Sequence, residues 1–206
     1  MYTGVVADCL DRRGHLRQTL PHELVPLRRG MRLAGPVYTV EGRPHPGHDY
    51  DTSIRKILDM LGAVPAGHVV VYHTNDRDCS QLGELSVTSL KSRGCVGAIV
   101  DGGCRDVDFI LREDFPVFAR HVSPQDSVPR WELTAHGDVT IEIGGVRIAP
   151  GDWVVGDADG IVVVPANLVE DVVAEAEAKA SVENEIRDAV REGALPLAAY
   201  DEFGTF

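Results

Sequence analysis

No stretch of this 206-residue chain approaches the roughly 20 consecutive apolar residues that cross a bilayer. At the N-terminus no basic segment runs into an apolar one, so no signal peptide is expected and a cytoplasmic location is. Cysteine is sparse: Cys9, Cys79, Cys95 and Cys104 are scattered without a Cys-x-x-Cys pair, which predicts reduced thiols rather than a disulfide framework. Basic charge is in deficit, with 20 Lys and Arg against 32 Asp and Glu, a net charge of −12. That balance argues against a general nucleic-acid or anionic-membrane surface, because both need basic patches to displace counterions. It leaves room for an anionic small molecule, since one local arginine can dominate a small site. There is no Walker-type loop, dinucleotide fingerprint, glycine-rich S-adenosylmethionine loop or Ser/His/Asp set. No repeat, low-complexity run or Ser/Pro-rich linker divides the chain, so one domain over residues 1–206 is expected.

What is present is an ordinary globular composition, 44% hydrophobic and 25% charged. Asp51 to Leu61 has helical spacing, with Ile54, Ile57, Leu58 and Leu61 on one face. Val69 to Tyr72 and Ala98 to Val100 read as buried strands. Ser80 to Arg93 reads as a helix with Leu82, Leu85 and Leu90 inward and Gly94 as its stop. Val107 to Arg112 is a short helix. Ile141 to Ile148 alternates about Gly144-Gly145 and predicts a hairpin. Strands at Trp153–Val155 and Ile161–Val164 follow, with Asp157-Ala158-Asp159-Gly160 as the turn between them. Asn167 and Glu170 suggest a capping box for a long C-terminal helix over about residues 167–192, ending before Gly193. Alternating α and β elements followed by a hairpin-rich half predict an α/β protein of sheets layered with helices.

Chemistry concentrates at Ile99-Val100-Asp101-Gly102-Gly103-Cys104-Arg105-Asp106. An apolar strand runs into two glycines, read as a sharp turn, and then presents an arginine beside an aspartate. Arg105 offers a planar fork suited to a carboxylate. Asp106 offers hard oxygen to a divalent cation, or a cap to the helix that follows. Twenty residues separate Glu84 from Arg105, giving the pattern acid-x20-Arg-Asp. An acid near a helix start is also what the helix dipole favours. Backbone N–H groups of Gly83, Glu84 and Leu85 could cradle a carboxylate. Cys104 reads as a small filler, because no histidine near it in sequence could activate it. His45, His48, Asp49 and Asp51 would form a second metal cluster only if their Gly/Pro-rich loop gathered them; plain loop is the commoner outcome.

The acid-x20-Arg-Asp pattern resembles the RraA-like family, which contains regulator of ribonuclease activity A and the class II 4-hydroxy-4-methyl-2-oxoglutarate aldolases. Thr3-Gly4-Val5-Val6-Ala7-Asp8-Cys9-Leu10 is similar to the family's opening helix, Gly35 to Val40 to its first strand, and Pro65 to Val71 to its "PGxVLVV" strand. Pro116 to Arg120, Gly144-Gly145-Val146, Pro150-Gly151-Asp152 and Asp157 to Pro165 continue the match in order.

The resemblance implies a swivelling β/β/α-type fold assembled as trimers or hexamers. It also implies a lyase that uses Mg²⁺ or Mn²⁺ to cleave a 4-hydroxy-2-oxo acid to pyruvate, with oxaloacetate decarboxylation alongside. In that reading Arg105 binds the substrate carboxylate and nearby oxygens. Asp106 and Glu84 form the metal site, Glu84 through water, and an acid from a neighbouring subunit's C-terminal helix completes it. Glu183 and Glu185 are the candidates for that acid, and a metal-bound water near Arg105 and Glu84 is the candidate base. The family's alternative role is inhibition of a ribonuclease E-type enzyme through protein–protein contact, which an acidic surface suits.

Overall fold

A computed structural model of the chain describes residues 1–47 and 49–206. Its elements begin with helix α1 (Thr3–Asp11), strands β1 (Val25–Pro26) and β2 (Leu33–Pro44), and helix α2 (Tyr50–Ala63). Next come strands β3 (Val69–His73) and β4 (Ser80–Leu82), helix α3 (Glu84–Ser92), strand β5 (Gly97–Cys104) and helix α4 (Val107–Arg112). Strands β6 (Val117–Val122), β7 (Trp131–Gly137), β8 (Ile141–Ile143), β9 (Val146–Ile148), β10 (Trp153–Asp157) and β11 (Gly160–Val164) follow. A 3-10 turn (Ala166–Leu168) then leads into helices α5 (Val169–Arg191) and α6 (Pro196–Phe203).

The main sheet runs β1-β6-β5-β3-β2-β10-β11, with β4 added beside β5 and β7 beside β2. Strands β2, β3, β5 and β6 are parallel. Successive side chains of a strand point to opposite faces, and the sequence exploits that period on both sides. Val70, Tyr72, Ala98, Val100, Val117 and Ala119 pack against Ile57, Met60, Leu61, Val87, Leu90 and Ile110 of α2, α3 and α4. Their neighbours Val69, Val71, Ile99 and Phe118 face a second β layer, meeting Ile141, Ile143, Ile148, Val154, Ile161 and Val163. The far side of β11, Val162 and Val164, is covered by Val5, Val6 and Leu10 of α1 and by Val172 and Ala176 of α5. The result is a mixed α/β protein of β/β/α type, with helices outside both β layers and a nearly closed, barrel-like sheet. Among the described residues no helix is long and apolar enough to cross a membrane.

Several sequence expectations need correction. Ser80 to Leu82 is strand β4, not helix; the helix begins only at Glu84. Leu82 and Leu90 are buried as expected, but Leu85 is 80% exposed and Val87 takes the inward position. On α2, Ile57 and Leu61 are buried, while Leu58 is 58% exposed and Met60 fills the core instead. Gly102 and Gly103 do not turn the chain: they extend β5 and are buried. Their lack of a side chain serves close approach. A Cβ on Gly103 would lie 2.3 Å from the Cys79 carbonyl oxygen, and one on Gly102 would lie 2.5 Å from Gln81 Oε1. The Asn167/Glu170 capping box is absent, because Asn167 belongs to the 3-10 turn and Leu168 occupies the N-cap of α5. Short β4 and helix α6 carry too little pattern to be read ahead of the structure. The expected hairpin forms, with Gly144 and Gly145 at φ 61° and 82°, as a tight two-residue turn requires.

Candidate functional site

Parallel sheets bind ligands outside the carboxyl ends of their strands. Here the ends of β4 and β5 run side by side, with Leu82 opposite Cys104. The Arg105 N–H donates to the Leu82 carbonyl at 3.0 Å, and the Ser123 N–H donates to the Cys104 carbonyl at 3.0 Å. This clamp delivers Gly83-Glu84 and Arg105-Asp106 to the same spot.

Asp106 sits in the left-handed region, at φ 60° and ψ 35°, a conformation that aspartate tolerates better than most residues. It stands at the N-cap position of α4, yet its side chain makes no capping bond there. Instead its Oδ2 accepts the Glu84 N–H, at the start of α3, at 3.1 Å. Gly83 makes this possible: a Cβ there would lie 2.8 Å from Asp106 Oδ2 and 3.2 Å from Arg105 Nε. The Arg105 guanidinium stands between two carboxylates, with Nε 3.7 Å from Asp106 Oδ2 and Nη1 3.6 Å from Asp126 Oδ1.

Arg105 and Asp106 line two adjoining clefts. One, of about 310 Å³, has Gln81, Gly83 and Asp126 beside them. The other, of about 350 Å³, is bounded by Cys104, Val107, Val122, Ser123 and Pro124. Cys104 is fully buried, and its thiol is pushed up to about 12, first by burial and then by the Asp106 charge. A thiol held protonated in this way is a filler rather than a nucleophile.

A hydrogen-bonded hub supports the strand ends from behind. Asp76 Oδ1 accepts from the Asp78 N–H at 2.9 Å, the Cys79 N–H at 3.0 Å and Gln81 Nε2 at 3.2 Å. Gln81 Oε1 in turn accepts the Gly103 N–H at 3.1 Å. Burial raises the Asp76 carboxyl, but the donors from Cys79, Asp78 and Gln81 outweigh it, and the net shift is downward.

The structure thus brings together Gly83, Leu85, Arg105 and Asp106 of the residues singled out in the sequence. The Glu84 side chain instead turns along α3, where its Oε1 accepts the Thr88 hydroxyl at 3.1 Å. Its N–H is taken by Asp106, so helix geometry leaves Leu85 and Ser86 as the N–H groups without an intrahelical acceptor. Glu183 and Glu185 lie on α5, which packs on α1 and α6, and neither lines the clefts at Arg105. Glu183 lies 3.8 Å from Lys179.

Of the four candidate loop ligands, His45, Asp49 and Asp51 are described. His48 lies outside the described residues. Asp49 caps α2 by accepting the Thr52 N–H at 2.8 Å, Asp51 pairs with Arg55, and His45 Nδ1 is 3.8 Å from Glu132. Among the described residues no group of three His, Cys, Asp or Glu side chains is placed to hold a metal. Sequence reasoning missed Asp126. It follows β6 in an irregular Pro-Gln-Asp-Ser stretch, where it forms a parallel bridge with Ser80, and its only signal was an acid just past the carboxyl end of a parallel strand.

The fold is mixed α/β, and at its strand ends one arginine stands between two carboxylates. The family model for RraA-like proteins (Aldolase/RraA) matches residues 3–163. The chain belongs to that family. A protein named "Putative 4-hydroxy-4-methyl-2-oxoglutarate aldolase" from Halalkalibacterium halodurans is 28% identical over 202 residues, covering 97% of this chain and 90% of that one. Protein DlpA of Legionella pneumophila is 28% identical over 199 residues, covering 96% of this chain. The chain spans 32% of DlpA's length. Among solved structures, Streptomyces coelicolor RraAS2, described as an unusual member of the RNase ES inhibitor RraA protein family, superposes with a TM-score of 0.80 at 28% identity. That likeness covers 91% of this chain and 92% of RraAS2.

Proposed function

We propose that this protein is a divalent-metal-dependent carbon–carbon lyase that cleaves a 4-hydroxy-2-oxo acid, of which 4-hydroxy-4-methyl-2-oxoglutarate is the type, and releases pyruvate. The observation that carries the reading is the meeting of Arg105 and left-handed Asp106 with the start of α3 at one strand end. Relatives with aldolase names support the reaction class.

The donor set suits Mg²⁺ or Mn²⁺. Asp106 contacts Glu84 and Arg105 through Oδ2, and a carboxylate has acceptor capacity beyond two contacts. Mg²⁺ commonly takes one or two carboxylates and keeps several waters, so a dedicated cage of three protein ligands is not required. Asp106 would hold the ion, Glu84 would reach it through water, and Glu183 or Glu185 of a neighbouring copy would complete the set. When bound, the metal supplies Lewis-acid stabilisation of negative charge on the substrate's 2-oxo oxygen.

The chain's own residues do the rest. Arg105 and the N–H groups of Leu85 and Ser86 fix the carboxylate of the 2-oxo acid. Arg105 also places positive charge where negative charge grows as the C3–C4 bond breaks. The C4 hydroxyl gives up its proton to a water at the Arg105 end of the cleft. The electron pair of the broken bond passes to C3, which is then protonated to give the methyl group of pyruvate. Oxaloacetate loses CO₂ through the same charge distribution, so it is a second substrate on this reading.

The test is pyruvate release, coupled to lactate dehydrogenase, from 4-hydroxy-4-methyl-2-oxoglutarate and oxaloacetate with Mg²⁺, Mn²⁺ or EDTA. Release that needs the metal and disappears in Arg105→Ala is the expected result. Release that survives EDTA, or full activity in Asp106→Ala, would sink the proposal. The ribonuclease-regulator reading is favoured by one observation, the likeness to RraAS2. It predicts inhibition of a ribonuclease E-type enzyme that Arg105→Ala leaves intact.

A further inference from the structure

Helix α5 carries a second surface of mixed chemistry, away from the Arg105 clefts of its own chain. Glu183, Ile186, Arg187, Val190 and Arg191 follow the i, i+3, i+4, i+7, i+8 spacing of one helix face. With Phe206 they line a groove of about 400 Å³. Ile186, Val190 and Phe206 make its middle apolar. Glu183 stands at one end, with Arg187 one turn along and Arg191 two. Glu185, two residues from Glu183, lies off this face. The two arginines differ. Arg191 is paired with Asp188 at 3.1 Å, whereas Arg187 donates to an amide oxygen, Oδ1 of Asn184.

The cleft of about 310 Å³ at Arg105 lacks what this face holds. The substrate of the lyase reading has two carboxylates, at C1 and C5. Among the described residues that line the cleft, Arg105 is the only basic side chain, and it already faces Asp106 and Asp126 at 3.7 and 3.6 Å. One guanidinium so placed serves the C1 carboxylate, and the C5 carboxylate needs a cation from elsewhere. The rim of the cleft is also unfinished, with Leu58 and Leu85 58% and 80% exposed on it. Large apolar side chains gathered beside one site mark a contact surface. The apolar middle of the α5 groove is their complement, as its arginines are the complement of the second carboxylate. The two surfaces do not meet within one chain, because α5 packs on α1 and α6 over the outer face of β11. A second copy of this chain is the occupant that supplies both.

Building on the lyase reading, we infer that Arg187 of a neighbouring copy binds the C5 carboxylate of the substrate and sets the preference for a dicarboxylic acid. The same copy brings Glu183 to the Asp106 end of the cleft, while its Ile186, Val190 and Phe206 cover Leu58 and Leu85. The spacing suits this. Glu183 and Arg187 are one helix turn apart, about 5.4 Å. Four carbon–carbon bonds separate C1 from C5 and span about 5 Å. A face of α5 laid along the substrate therefore sets the acid at the 2-oxo end and the arginine at the other.

Calorimetric titration with two ligands of one head group tests this. In 2-oxopentanoate a methyl group stands where 2-oxoglutarate has its second carboxylate. With Mg²⁺ present, the wild type should bind 2-oxoglutarate the more tightly. Arg187→Gln should weaken that binding by roughly 10- to 100-fold, the scale of a hydrogen bond to a charged group, and leave 2-oxopentanoate nearly unchanged. Arg187→Lys keeps the cation and should retain most of the preference. Arg187 is exposed, so the fold should persist, as the melting temperature will verify. In the pyruvate assay the KM of Arg187→Gln should rise for 4-hydroxy-4-methyl-2-oxoglutarate but not for 4-hydroxy-2-oxopentanoate. Joint unfolding and reassembly of Arg187→Gln with Arg105→Ala tests the reach between copies. Half of the sites then keep Arg105, and half of those face an intact Arg187, so about a quarter should bind 2-oxoglutarate as tightly as the wild type. Equal weakening of both ligands in Arg187→Gln, no weakening of either, or no tight sites after mixing overturns the inference. Wild-type pyruvate release alongside any of these leaves the lyase standing. Failure of the wild type to bind either ligand or to release pyruvate overturns both.

Discussion

Asp106 is both a functional candidate and a backbone device, and the two roles can be separated. Its φ of 60° disfavours a β-carbon residue without a short polar side chain. Asp106→Asn keeps the left-handed preference and an acceptor for the Glu84 N–H but removes the charge. It should leave the melting temperature nearly unchanged while pyruvate release falls by about 100-fold, the lower end of what losing a key electrostatic group costs. Asp106→Ala should add about 1 kcal/mol of destabilisation from the left-handed backbone. A thermal melt beside the coupled assay distinguishes the two. Asp157, by contrast, is an acid that the turn reading placed correctly and whose work is structural. Burial raises its carboxyl, but the Thr3 hydroxyl at 2.7 Å, the Thr3 N–H at 2.9 Å and the Asp159 N–H outweigh that, so it lies below its ordinary 3.8. A depressed carboxyl contributes stability that is fully present above the unfolded value and is lost as pH falls through the folded one. The stability gap between the wild type and Asp157→Asn should therefore be constant near neutrality and shrink below about pH 4, read by urea unfolding across pH 2–7. At this scale Arg105 and Asp106 were legible because their spacing to Glu84 is a local pattern. Asp126 was not, because only the tertiary fold brings it to Arg105.

Among the elements, β5 shows how a correct residue choice can be given the wrong reason. Two consecutive glycines after an apolar run suggest a turn, yet neither Gly102 nor Gly103 has a positive φ. They are glycines because β4 and the Cys79 carbonyl press against the strand. Gly103→Ala would put a methyl 2.3 Å from that backbone oxygen and 2.8 Å from His121 Nε2. It should destabilise the protein by about 1–3 kcal/mol, the usual scale for overpacking, and displace the Gln81 contact two residues before Arg105. Chemical denaturation checks the stability. A rise in the KM for the 2-oxo acid would show that β4–β5 contact positions the arginine. Parallel strands β3 and β5 were readable because burial on both faces leaves unbroken apolar runs. Strand β4 was absorbed into a helix because Leu82, Leu85 and Leu90 keep near-helical spacing, and three residues are too short for a period-2 signal. The exposure of Leu58 and Leu85 was hidden for a related reason: periodicity shows which residues share a face, not whether that face meets a core or a ligand cleft.

The whole molecule separates its candidate acids. Arg105 and Asp106 stand at the ends of β4 and β5, whereas α5, with Glu183 and Glu185, packs through α1 over the outer face of β11. Within one chain those glutamates line neither cleft at Arg105, so they can serve the site only from a second copy. A cyclic assembly allows this, because each heterologous interface joins one surface of a subunit to a different surface of the next. The purified protein should then have a mass near three or six times 22.3 kDa. Mixing two inactive variants gives a sharper test. Arg105→Ala retains its glutamates, and a Glu183→Ala/Glu185→Ala double variant retains its arginine. Each should be nearly inactive alone. After joint unfolding and reassembly at equal amounts, roughly one site in four joins an intact arginine to an intact glutamate, so about a quarter of wild-type activity should return. If the glutamate variant is already fully active, α5 has no part in the reaction. If that variant is inactive but mixing restores nothing, the glutamates act within their own chain, and the α5 packing over β11 would have to differ in solution.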